Sequence, residues 1–212
     1  MLQKTSNVIK ILIRKDIGMT IIALRGKSGT GKSSLLKELI SIFCKNDFFR
    51  KNDICVVECG ILRPHIRNDS TNEINEAKKS IEKLILLNSD IYVVFKVKGK
   101  YIGIATQGDS RYYLEESLSK INKAIVNDGK DNGKCDIFIC AVRTFGDTCK
   151  FVFDNSKNGE LYFFDKATLF VGSTYCDTKG ELICLRQRRY KLNYIQAKEI
   201  TDLCIEVWKS IR

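Results

Sequence analysis

The 212-residue chain is poor in the residues that build metal sites and kinks: it has one histidine and one proline. A zinc site needs four Cys or His ligands clustered at short spacings. The nine cysteines include no CxxC pair, so we expect them to be small buried hydrophobes kept reduced. Zinc-finger and disulfide-scaffold classes are therefore not expected.

Long apolar runs are also missing. No stretch approaches the roughly 20 uncharged apolar residues of a membrane-spanning helix, and Lys10, Arg14, Lys15 and Asp16 interrupt the early apolar run that a secretory signal would need. With 44% hydrophobic and 29% charged residues, the composition is that of a globular protein. A cytoplasmic protein with no membrane partner is the resulting expectation.

The net charge of +11 is concentrated at the two ends of the chain. Residues 1–51 hold eleven Lys and Arg against three Asp and Glu, and residues 179–212 hold eight against four. Clustered basic residues favour a polyanionic partner, but a lysine-rich chain also places such charges on an ordinary solvated surface. Nucleic acid or an anionic second substrate at the basic ends stays an open alternative, and the oligomeric state is not indicated.

A glycine-rich segment follows the first strongly apolar run. Residues 19–25 have the pattern of a buried strand, and residues 26–33 read GKSGTGKS, the GxxxxGKS form of the Walker A pattern. In this pattern backbone N–H groups cradle phosphate oxygens, Lys32 reaches the β- and γ-phosphates, and the Ser33 hydroxyl ligates Mg²⁺. The helix expected next offers its positive N-terminal end to the anion. Its predicted inward residues are Leu35, Leu36, Leu39, Ile40 and Phe43.

Over residues 19–45 the sequence resembles the P-loop NTPase superfamily. The resemblance implies a three-layer α/β fold, with a mostly parallel, partly mixed central sheet flanked by helices, and it implies ATP and Mg²⁺ as cofactors. ATP is preferred to GTP by default, because no NKxD guanine motif is present: Asn122-Lys123 continues as Ala124-Ile125. The residues carried over as nucleotide-binding are Gly26, Lys27, Ser28, Gly29, Thr30, Gly31, Lys32, Ser33 and Ser34.

The rest of the chain is predicted to complete one domain over residues 1–212. Residues 1–18 are an N-terminal extension or an edge element, and residues 150–192 are a lid or substrate-binding insertion. Strands are expected at 53–57, at 91–97 and 101–106 as a hairpin, at 137–142 and at 168–172. Helices are expected from a capping box at 70–73, from about Arg111, and at the C-terminus, where Trp208 is expected to pack in the core.

A P-loop site usually needs a carboxylate at the end of a neighbouring strand, and the chain has no clean copy of the four apolar residues and Asp that usually supply it. Two candidates remain. Asp109 follows the strand 101–106 and would serve as a metal ligand and catalytic residue, although an N-cap of the next helix explains it as well. Glu58 ends the apolar run 54–57. Arg143, after the strand 137–142, is placed to meet a γ-phosphate or an anionic acceptor.

Two functions follow as hypotheses. The first is an ATP-dependent phosphotransferase or ATPase, in which Lys32, Asp109, Glu58 and Arg143 are the catalytic candidates; small size and an Arg-bearing loop resemble the nucleotide- and polynucleotide-kinase branch. The second is a nucleotide-gated module that binds nucleic acid or a protein with little turnover. The sequence does not identify the phosphoryl acceptor.

Overall fold

The computed structural model describes residues 8–12, 18–63, 80–156, 159–166 and 179–211. The strands in chain order are β1 (Val8–Leu12), β2 (Thr20–Arg25), β3 (Cys55–Arg63), β4 (Asp90–Val97), β5 (Lys100–Ala105), β6 (Ile137–Val142) and β7 (Glu160–Asp165). The helices are α1 (Lys32–Lys45), α2 (Asp47–Lys51), α3 (Ile81–Leu86), α4 (Arg111–Asn127), α5 (Asp147–Asn155) and α6 (Lys179–Ser210).

The strands form a seven-stranded sheet in the order β1-β7-β2-β6-β5-β4-β3. The pairings β7-β2, β2-β6 and β6-β5 are parallel, while β1-β7, β5-β4 and β4-β3 are antiparallel. Five strands therefore point one way, and β1 and β4 point the other way. The predicted α/β architecture with a mixed sheet is confirmed, and the predicted hairpin is β4 and β5, whose turn residues Lys98 and Gly99 have φ of 46° and 79°, as a type I′ turn requires.

Helices cover both faces of this sheet. On one face α1, α2, α3 and α6 bury apolar side chains against alternate residues of the central strands. On the other face α4 and α5 do the same with the intervening residues. Because β2 and β6 are covered on both sides, every residue of β6 is buried, as expected of interior parallel strands. The inward positions predicted for α1 are all fully buried.

Three segments differ from the prediction or extend it. The second strand does not end at Glu58 but runs on to Arg63 as the edge strand β3. Within the predicted lid or insertion 150–192, residues 160–165 form β7, which lies inside the sheet between β1 and β2. Val8–Leu12 form β1, which pairs with β7 as the opposite edge strand of the sheet. The predicted capping box at 70–73 and strand at 168–172 lie outside the described residues.

The C-terminal helix packs as its periodicity predicts. Ile200, Cys204 and Val207 are buried, and Trp208 packs at the edge of the same core with its ring 5.4 Å from that of Phe48. The free cysteines include Cys135, Cys140 and Cys204, which are buried, and Cys55, which is exposed. Among the described helices, none is both long and apolar enough to cross a membrane.

Candidate functional site

The segment between β2 and α1, residues 26–31, forms a tight loop at the carboxyl edge of the parallel strands. Gly29 and Gly31 have φ of 72° and 82°, a left-handed conformation that favours glycine. Gly26 opens the loop, and its N–H donates to the carbonyl of Val142 at the end of β6 at 3.2 Å. Gly31 immediately precedes α1, so the loop sits on the N-terminal end of that helix and shares its positive partial charge.

Lys32 folds back over this loop. Its Nζ donates to the carbonyls of Gly26 at 2.9 Å and Lys27 at 2.8 Å, and the residue is only 7% exposed. Burial is the main reason that the pKa of Lys32 is lowered; nearby Asp109 counteracts this and Arg143 adds to it. A desolvated ammonium held by two neutral carbonyls gains from an arriving anion, because charge-assisted hydrogen bonds are roughly twice as strong as neutral ones.

Ser33 points to the other side of the loop, toward β4 and β5. Its hydroxyl is 3.1 Å from Oδ1 of Asp90 and 3.0 Å from the carbonyl of Thr106. The Thr106 hydroxyl is also 3.1 Å from the same Asp90 oxygen and accepts from the Ile91 N–H at 2.9 Å. The carboxylate of Asp90 is thus fixed by two hydroxyls, one from the glycine-rich loop and one from the end of β5.

Asp90 is not among the residues predicted from the sequence, because those residues follow strands whereas Asp90 begins one. Asp90 is the first residue of β4, and β4 runs antiparallel to β5. The start of an antiparallel strand lies at the same edge of the sheet as the ends of its parallel neighbours. The signal that was available is the hairpin itself, which predicts β4 antiparallel to β5 and so brings its first residue to this edge.

Asp109 and Arg143 do approach the loop. Both influence the pKa of Lys32, and Arg143 Nη2 lies 3.8 Å from Asp109 Oδ1, with each side chain about half exposed. Exposed pairs at this distance are worth at most about 1 kcal/mol, so either side chain is free to turn to a ligand. Gly108 positions Asp109, because a Cβ at Gly108 would lie 1.9 Å from the carbonyl oxygen of Ala141.

The alternative role of Asp109 as a helix cap is wrong. α4 begins at Arg111 and its N-cap is Ser110, whose side chain accepts from the N–H of Tyr113 at 3.4 Å. The carboxylate of Asp109 is therefore available for another purpose.

We expect Ser110→Ala to lower the free energy of unfolding by about 0.5–2 kcal/mol, as loss of an N-cap does. Asp109→Asn should change that free energy by less than about 0.5 kcal/mol, because its carboxylate is exposed and caps nothing. Urea denaturation of both variants measures the difference. A larger loss in Asp109→Asn than in Ser110→Ala would restore the capping role to Asp109.

Glu58 lies away from this site. It is in β3, which is separated from β2 by β6, β5 and β4, or about 19 Å at the usual strand spacing. Its carboxylate accepts from the hydroxyl of Tyr92, and burial together with this carboxylate raises the pKa of Tyr92. Both residues line a cavity of about 550 Å³ between β3 and α4, with Lys120 and Lys123 on its helical wall.

The structure therefore brings Lys32, Ser33, Asp109 and Arg143 together and leaves Glu58 apart. Of the other residues predicted to bind nucleotide, Lys27 and Ser28 in the loop and Ser34 in α1 are exposed, and the Thr30 hydroxyl donates to the Lys27 carbonyl at 2.8 Å.

The residues at this site suit only a hard cation that takes few of its ligands from the protein. Among the described residues, no group of three or more His, Cys, Asp or Glu side chains is placed to hold a metal. One carboxylate and one hydroxyl, as in Asp90 and Ser33, suit Mg²⁺, which usually keeps several waters and takes substrate phosphates as further ligands.

Comparison with protein-family models, with curated proteins and with solved structures gave no match to this chain.

Proposed function

We propose that this protein binds ATP with Mg²⁺ in a P-loop site and transfers the γ-phosphoryl group to water or to an acceptor. The observation that carries the proposal is the junction of the glycine-rich loop with α1. There, consecutive residues reach to opposite sides: Lys32 to the loop carbonyls and Ser33 to Asp90. A cationic donor and a metal-ligating pair at one helix N-terminus suit a polyphosphate.

The phosphate chain would lie in the loop, where backbone N–H groups and the positive end of α1 face it. Lys32 would exchange its two carbonyl partners for phosphate oxygens, so the ion pair forms without an additional desolvation of the ammonium, which is already buried. Ser33 and Asp90 would hold Mg²⁺, which neutralises charge on the phosphates when bound. Thr106 keeps the Asp90 carboxylate oriented through its hydroxyl.

Arg143 and Asp109 belong to the open side of the site. Arg143 is half exposed and weakly paired, and a guanidinium in that position would stabilise negative charge that develops on a transferring phosphoryl group. Asp109 would orient the attacking hydroxyl or water by accepting its hydrogen bond. A guanidinium that can stabilise phosphoryl charge and a carboxylate that can orient a nucleophile favour phosphoryl transfer over nucleotide binding without turnover.

The deciding experiment is incubation with γ-labelled ATP and Mg²⁺, alone and with separate pools of nucleosides, nucleotides and oligonucleotides. Label in inorganic phosphate would identify an ATPase, and label in one pool would identify the acceptor class. The Lys32→Met protein, with intact fold by circular dichroism, is the matched control for contaminating activity. Binding of ATP without turnover in every pool would instead support the nucleotide-gated module, and no binding at all would overturn the proposal.

A further inference from the structure

A buried polar cluster lies beside the glycine-rich loop on the side away from Asp90. Lys166, the residue after β7, is 8% exposed, and its backbone N–H donates to the carbonyl of Arg25 at 2.8 Å. Its Cβ is close enough to the loop that a Cβ on Gly26 would be only 3.2 Å away. The Nζ of Lys166 donates to Oε1 of Gln196 on α6 at 3.1 Å, and Nε2 of Gln196 donates to the carbonyl of Asp165 at 3.2 Å.

One member of this region has an unused hydrogen-bonding atom. Asn193 is 7% exposed, and its Oδ1 is buried without a donor among the described residues. Asn193 precedes Gln196 by three residues and Ala197 by four, and all three are buried, so they share one face of α6. A buried acceptor without a donor costs free energy, and a bound ligand that supplies the donor would recover it.

The direction of α6 places Asn193 at the open edge of the sheet. Near its C-terminal end the helix meets the far edge, where the Nζ of Lys100 donates to the carbonyls of Trp208 and Ile211. Gln196 lies level with the end of β7, since it bonds the Asp165 carbonyl. With a rise of about 1.5 Å per residue, Asn193 lies roughly 4.5 Å beyond that level, toward the edge of the sheet at which the glycine-rich loop lies.

We infer that Asn193 recognises the base of the bound nucleotide and that its free Oδ1 accepts a hydrogen bond from the 6-amino group of adenine, so that the site selects ATP over GTP. This inference rests on the proposed function. In the proposed site Ser33 and Asp90 would hold the metal and the γ-phosphate on their side of the loop, which would leave the opposite flank for the nucleoside. Adenine presents its 6-amino group where guanine presents a carbonyl oxygen. With the side-chain amide of Asn193 held in the orientation of this structure, Oδ1 pairs with the amino group of adenine, whereas two acceptors would face each other with guanine.

The test is the ratio of ATP to GTP affinity, measured by isothermal titration in the presence of Mg²⁺. The native protein should bind ATP at least about tenfold more tightly than GTP. Asn193→Leu removes the acceptor, and its ratio should fall to within about twofold of unity. Asn193→Asp keeps an acceptor oxygen at the same place and should retain the preference for ATP. Asn127→Leu, an exposed asparagine on α4, is the matched control and should leave the ratio unchanged.

Thermal melting without nucleotide provides a second readout. Asn193→Leu should melt no lower than the native protein, because it replaces an unpaired buried acceptor by an apolar group, and this shows that the altered ratio is not a folding defect. Equal affinity of the native protein for ATP and GTP, or an unchanged ratio in Asn193→Leu, would overturn the inference and leave the proposed function standing. Failure of the native protein to bind either nucleotide would overturn both.

Discussion

Replacing Lys32 by methionine should lower the affinity for ATP·Mg²⁺ by at least about 100-fold. Hydrogen bonds to charged groups contribute about 1.5–3 kcal/mol each, and Lys32 has two such bonds to transfer from carbonyls to phosphate. Methionine keeps most of the apolar stem in its buried position, so the loss reports the charge rather than the packing. Isothermal titration with ATP, with and without Mg²⁺, measures it.

Lys27 supplies the control for this substitution. It stands in the same loop but is exposed, and an exposed lysine near an anion contributes mainly a screened interaction. Lys27→Met should therefore reduce affinity by less than about tenfold, and raising the salt concentration should diminish the effect further. Equal losses in the two variants would show general electrostatic attraction instead of a defined contact at Lys32. Unchanged affinity in Lys32→Met would contradict the P-loop assignment.

The loop and the helix that follows it could be predicted because their signals are local. Glycines at fixed spacing permit the left-handed residues Gly29 and Gly31, and the apolar spacing from Leu35 to Phe43 fixes which face of α1 is buried. The β4-β5 hairpin was predictable for the same reason, since two turn residues between apolar runs specify it. In each case neighbours in sequence are also the neighbours in space.

The hairpin indicates the edge of the sheet at which Asp90 lies, but the contact of Asp90 with Ser33 depends on tertiary structure and is not marked in the sequence. Asp90 and Ser33 are 57 residues apart, and their contact requires both the direction of β4 and its position in the sheet order. The apolar run 54–57 predicts a strand that ends at Glu58, but an edge strand needs no continuous apolar pattern. β3 continues through Glu58 and Gly60, and the glycine makes room for the ring of Tyr92.

The strand β7 was also hidden from local reasoning. Its aromatic residues, which read as part of a lid or insertion, are buried on both faces of the sheet between β1 and β2. Insertion of this strand beside β2 brings Lys166 and the buried face of α6 to the glycine-rich loop. The flank of the site that we assign to base recognition thus follows from strand order, and no motif in the sequence marks it.

Asp90→Asn is expected to reduce Mg²⁺-dependent turnover by at least about 100-fold. The amide has nearly the same shape as the carboxylate and still accepts hydrogen bonds from Ser33 and Thr106, so the local structure is kept. What is lost is the negative charge, on which a site with a single carboxylate depends. The concentration of Mg²⁺ that gives half-maximal turnover should rise, whereas binding of metal-free ATP should be unchanged or slightly tighter, since a charge that repels phosphate is gone.

Asp109→Asn is the comparison that distinguishes metal binding by Asp90 from a general effect of a negative charge near the loop. Both carboxylates lie near the loop, but only Asp90 shares a hydrogen bond with the Ser33 hydroxyl, whereas Asp109 faces Arg143 on the open side. Turnover measured at increasing Mg²⁺ should therefore show a shifted midpoint in Asp90→Asn and a lower plateau at an unshifted midpoint in Asp109→Asn. The reverse pattern would move the metal to Asp109 and leave Asp90 as a structural partner of Ser33. The two substitutions remove the same negative charge from the same edge of the sheet and differ only in where that charge lies. The Mg²⁺ concentration at half-maximal turnover therefore shows which of the two carboxylates binds the metal.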